Sequence, residues 1–122
     1  MHASRKPKRS CKRIAVFSGS GKLSINCTTN GAGSADNYIQ QAFPSSAWGR
    51  RYLTAPTNKM PNNFYRVIVN NPATKVKLNG TLLNTATLVN NFYYEFSSTT
   101  ANLIESDLPI MVAQYITTAN SC

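Results

Sequence analysis

Phe64-Tyr-Arg-Val-Ile-Val-Asn-Asn-Pro-Ala-Thr-Lys-Val-Lys-Leu-Asn-Gly-Thr-Leu-Leu83 combines strand alternation with two tight reversals. Tyr65, Val67 and Val69 fall on one side of an extended chain, and Arg66 with Asn70 on the other. That is the period of two expected of a strand with one wet face. In Lys75-Val-Lys-Leu78 lysines alternate with apolar residues in the same way. Asn71-Pro72 is a turn signal. Asn79-Gly80, between Val76-Lys-Leu78 and Thr81-Leu-Leu83, marks a hairpin, because a type I′ turn needs positive φ at both central positions. Together the two turns predict a three-stranded meander.

Outward from this stretch the chain keeps the same grammar: short β-branched or aromatic runs separated by clusters of Gly, Asn, Pro, Ser and Thr. Strands are expected at 13–18, 22–26, 38–43, 51–55, 64–70, 75–79, 81–83, 92–97, 103–105 and 110–117. No amphipathic helix is evident. In Phe92-Tyr-Tyr-Glu-Phe96 the alternation puts Phe92, Tyr94 and Phe96 toward the core and Tyr93 with Glu95 on the other side. Glu105-Ser-Asp-Leu-Pro109 reads as a turn before the apolar run Ile110-Met-Val-Ala113. The fold class that follows is all-β: an antiparallel β-sandwich, or a jelly-roll-like partly open barrel, of about eight to ten short strands.

The 122 residues suffice for one domain with one core, and 42% hydrophobic residues with 10% aromatics give it enough apolar surface to fold. The net charge of +9 is unevenly placed. Arg5, Lys6, Lys8, Arg9, Lys12 and Arg13 hold six of the thirteen basic residues, which leaves +3 for the rest of the chain. Residues 1–10 are expected to form a disordered basic arm and residues 11–122 a single module. No signal peptide is visible, because Ile14-Ala-Val-Phe17 is much shorter than a secretion signal's apolar region. No run is long enough for a membrane span.

The residue pattern offers little for catalysis. A Ser-His-Asp or Cys-His arrangement needs a positioned base. The single histidine, His2, lies in the arm. Two-carboxylate hydrolysis has Asp36, Glu95, Glu105 and Asp107 to draw on, and Glu105 with Asp107 would share a strand face. Asp107 is better read as a cap of the turn before Pro109, and Glu105 as a solvated strand end or the partner of an arginine. Those acids build no calcium loop, and Gly19-Ser-Gly-Lys22 lacks phosphate-loop spacing and reads as a turn between strands. The expectation is no enzyme, no metal and no cofactor. Cys11, Cys27 and Cys122 allow one internal bridge with one thiol left over, and the pairing stays open. Asn26-Cys27-Thr28 and Asn79-Gly80-Thr81 both fit the glycosylation sequon.

Two surfaces remain as binding candidates. The basic arm could hold nucleic acid through phosphate neutralisation, with residues 1–13 as its reach. Trp48, Arg50, Arg51 and Tyr52 are the residue types that dominate protein interfaces, although a lone Trp after Pro44-Ser-Ser reads first as a plug at the end of the sheets.

Arg13-Ile-Ala-Val-Phe-Ser-Gly-Ser20, Ile39-Gln-Gln41, Pro44-Ser-Ser-Ala-Trp-Gly49, Tyr52-Leu-Thr-Ala-Pro56, Asn63-Phe-Tyr-Arg-Val-Ile68, Val76-Lys-Leu-Asn-Gly80, Asn91-Phe-Tyr-Tyr-Glu-Phe96, Ile104-Glu-Ser-Asp107 and Val112-Ala-Gln-Tyr115 follow one another in an order that resembles the N-terminal domain of IgG Fc-binding protein. That family includes a mucin-associated secreted protein and large bacterial secreted or surface proteins. The resemblance implies an all-β extracellular or cell-surface module that recognises or adheres to protein or glycan partners, immunoglobulin being one candidate, with no catalytic residues to carry over. It also implies a fragment of a larger protein, since the family's domain sits inside longer chains.

Overall fold

The computed structural model describes residues 12–23, 36–58 and 62–117. Among the described residues there are eight strands: β1 Phe17–Leu23, β2 Asp36–Gln41, β3 Gly49–Thr54, β4 Asn63–Val69, β5 Val76–Leu78, β6 Thr81–Leu82, β7 Tyr93–Ser98 and β8 Asn102–Ile116. All pair antiparallel, in one curled six-stranded sheet that forms a half-barrel and one small two-stranded sheet. The basic arm and all three cysteines lie outside the described residues, as does the Asn26 sequon.

β8 is the spine. It pairs with β3 on one edge and with both β4 and β5 on the other, because Gly49 and Val69 both face Ile110 while Arg51 and Lys77 both face Glu105. β7 extends the sheet beyond β4, and β6 extends it beyond β5. β4 and β5 therefore do not pair with each other, and the expected meander is replaced by two strands lying end to end along β8. The β5–β6 hairpin is as the sequence indicated: Asn79 and Gly80 take φ of 51° and 84°, and Leu78 faces Thr81.

Registers show where the spine bends. Two β3 steps, Gly49 to Arg51, span Ile110 back to Glu105, whereas on the other edge the seven steps from Val69 to Val76 face only Ile110 to Ser106. The β3 edge takes the short path and the β4–β5 edge the long one. A straight strand would hold Asn102 and Gln114 roughly 40 Å apart. Yet Thr54 lies opposite Asn102, and Gln114 Nε2 donates to the carbonyl of the next residue, Ala55, at 2.9 Å. β8 must fold back on itself, and its two arms carry the two layers of the core. The sequence divided this element into 103–105 and 110–117 because Ser106-Asp-Leu-Pro109 has turn chemistry. That chemistry makes the bend: Ser106 Oγ donates to the Leu108 carbonyl at 2.7 Å, and Asp107 Oδ1 accepts from the Lys75 N–H at 2.8 Å. Pro109 falls where neither ladder is in register, so its missing N–H removes no ladder bond.

Between the arms lie Val67, Val69, Val76, Tyr94, Ile104 and Ile110. These are the inward positions of the alternating pattern, and Tyr65, also fully buried, stacks on Phe96 at 5.1 Å. The hydroxyl of Tyr94 is buried with no hydrogen-bond partner among the described residues, and burial holds its pKa above the ordinary value of 10.0. Tyr94→Phe is expected to leave stability at pH 7 unchanged or raise it by up to about 1 kcal/mol, since an unmade hydrogen bond is removed at constant shape. The raised pKa also fixes a sign. Its contribution is complete below pH about 10 and is lost as pH rises through the higher folded value, so the variant should lose part of the alkaline decline in urea-unfolding midpoint. An unchanged alkaline limb would contradict this.

Candidate interaction surface

Of the four residues singled out in the sequence, the structure leaves three at the surface. Tyr52 is built in: its hydroxyl donates to the Ile110 carbonyl at 2.7 Å and accepts from the Gly49 N–H at 2.9 Å, and its ring packs against the core. Arg50 is exposed, and Arg51 makes a loose 3.6 Å pair with Glu105. Trp48 is half-buried outside the core cluster and closes its own turn, with Nε1 at 3.5 Å from the Phe43 carbonyl. It does not plug the core: neither the core cluster nor the partly buried residues packed against it include Trp48.

Both carboxylates weighed for hydrolysis are engaged in structure, Glu105 with Arg51 and Asp107 with the Lys75 backbone. Among the described residues no group of three His, Cys, Asp or Glu side chains could hold a metal ion. Gly19-Ser-Gly-Lys22 is part of β1 and does not form the expected turn. Glycine is needed at position 19 because a Cβ there would collide with the Tyr38 carbonyl oxygen on β2.

A different cluster emerges on the outer face of the C-terminal arm. β4 places Arg66 opposite Glu95 on β7 and Ala113 on β8, with Tyr93 and Tyr115 on the diagonals. Arg66 Nε donates to Glu95 Oε2 at 2.7 Å. Its guanidinium carbon lies 4.7 Å from the centre of the Tyr93 ring and 5.4 Å from that of Tyr115. Tyr38 of β2 continues the row, 6.1 Å from Tyr115, and its hydroxyl donates to the Ile116 carbonyl at 2.8 Å. Burial lowers the Arg66 pKa, but the hydrogen bond and charge of Glu95 with the two tyrosines outweigh it, so the net shift is upward and the cation is permanent.

Arginine clamped between tyrosines, half-exposed and already oriented, is the composition and rigidity from which interface hot spots are made. Sequence reading placed Arg66 on the wet side but could not find the cluster. Tyr93, Arg66 and Tyr115 come from three strands, and only their pairing register brings them together.

The described residues thus form an all-β scaffold with a Tyr–Arg face, in which Glu95, Glu105 and Asp107 all hold partners within the fold. The chain belongs to the family described as IgGFc binding protein, whose model matches residues 8–122, nearly the whole sequence. No curated protein and no solved structure matches it. No helix among the described residues is long and apolar enough to cross a membrane.

Proposed function

We propose that the chain is an extracellular recognition module that binds a protein partner through the Tyr38–Tyr115–Arg66–Tyr93 row. Family membership over residues 8–122 carries this reading, and the row supplies a surface with the chemistry for it. Immunoglobulin Fc is the partner the family description suggests. Arg66 is the anchor: on binding, the half-exposed cation and its two rings would be desolvated together, which strengthens their interaction with an incoming carboxylate or aromatic group. Arg50 and Arg51 are exposed on β3 beside the half-buried Trp48 and are not needed for this reading. A nucleic-acid role through residues 1–13 draws no support from the family.

The test is binding of purified Fc fragment to the immobilised chain. Arg66→Ala is expected to weaken binding at least tenfold while lowering folding stability by less than about 1 kcal/mol, the usual worth of an exposed ion pair. Fc binding that survives both Arg66→Ala and Tyr115→Ala would remove the row from the interface, and absence of Fc binding by the parent chain would remove Fc as the partner.

A further inference from the structure

Unlike every other strand, β1 and β2 have no place in the curled sheet. They pair with each other, from Phe17 opposite Gln41 to Leu23 opposite Asp36. The Ala42 N–H to Val16 carbonyl bond at 2.7 Å extends the ladder toward Phe43. Two-stranded ribbons are marginal alone, and a third strand or a packed face is what makes them stable. Tyr38, on one face, docks on Tyr115 and the Ile116 carbonyl. The alternation then places Phe17, Ile39 and Phe43 together on the opposite face, turned away from the main sheet. They are 63%, 72% and 57% exposed. Large apolar side chains gathered on one face of a ribbon mark a contact surface.

Charge narrows the occupant. No acidic residue precedes Asp36, whereas Lys12 and Arg13 lead into β1. We infer that the β1–β2 ribbon is a strand acceptor: an extended segment of another polypeptide, with alternating apolar side chains and acidic flanks, adds to the ribbon and covers Phe17, Ile39 and Phe43. Main-chain pairing would supply affinity, and the apolar stripe with its basic surroundings would select the segment. The inference rests on the reading of the chain as a protein-recognition module but uses a face that the Arg66 row does not.

Hydrogen exchange read residue by residue tests it, with a synthetic peptide of alternating valine and threonine carrying two glutamates at each end as the probe. The peptide is expected to slow exchange of β1 or β2 amides at least tenfold. A proline-interrupted version should give no protection, and a lysine-ended version should bind at least tenfold more weakly. Ile39→Ser and Phe17→Ser, both at exposed positions, should abolish protection, whereas Arg66→Ala should not. Unchanged exchange with the glutamate-flanked peptide at millimolar concentration overturns the proposal. So does a dimer of the free chain that Ile39→Ser dissolves, since the stripe would then serve a second copy. Fc binding measured in parallel separates the two readings: loss on Arg66→Ala alone reports the row, and protection by the peptide reports the ribbon.

Discussion

Ile110→Ala is expected to lower the free energy of unfolding by about 2–5 kcal/mol, the range for removing a fully buried branched side chain and leaving a cavity. Ile110 is 0% exposed and stands just past the bend of β8, where β3 and β4 both pair with it. Its side chain meets both layers of the core, while its carbonyl holds the Tyr52 hydroxyl. Neither arm can close over the gap without moving the other, so relaxation should be poor. Small domains have only about 5–15 kcal/mol of stability in total, and urea unfolding followed by aromatic fluorescence would register the change as a large fall in midpoint at constant slope. Ile116→Ala, on the same strand face but 49% exposed, is the matched control and should cost much less. Equal losses at the two sites would mean that the bend does not organise the core.

Asn63→Leu is expected to cost about 2–4 kcal/mol, through stranded polar groups in place of lost volume. Asn63 is fully buried, and its side-chain oxygen accepts from the Thr57 N–H at 3.1 Å and from Gln114 Nε2 at 2.7 Å. Its amide nitrogen donates to Thr57 Oγ1 at 3.0 Å. One side chain thus ties the segment leaving β3 to β4 and to the C-terminal arm of β8. Leucine fills similar space but leaves the Thr57 N–H without its acceptor and Gln114 with only its Ala55 bond. Asn63→Asp keeps both accepting contacts but places an ionisable carboxyl at a fully buried site without a cation, so it should be costly as well. If leucine proved as stable as asparagine in urea titrations, the two arms would be held by packing alone.

What the sequence disclosed and what it withheld divide along one physical line. Inward and outward positions were legible, because alternation is local: Tyr65, Val67, Val69, Val76 and Tyr94 are buried, and Lys75, Lys77 and Glu95 are exposed. The Asn79-Gly80 hairpin was legible for the same reason, its φ requirement being a property of two residues. Pairing partners were not. Asn71-Pro72 makes a turn, but whether the chain then folds back beside β4 or continues along a third strand depends on β8, more than thirty residues away. The interaction surface suffered most from this. Trp48 and Tyr52 drew attention by type, yet Tyr52 is a core brace; Arg66, Tyr93 and Tyr115 were individually ordinary until register made them neighbours.

The place of β8 in the chain also sets an order of events during synthesis. As the polypeptide emerges, only the β1–β2, β4–β7 and β5–β6 pairings can form before β8 appears, because β3, β4 and β5 all await it as their common partner in the curled sheet. Until then Val67, Val69 and Val76 have no opposite wall, and closure must bring together segments some fifty residues apart, from Tyr52 to Ile104. Such distant closures are slow. Assembly on the ribosome is therefore expected to be abrupt and late, with protease resistance arriving only after Ile116 has cleared the exit tunnel.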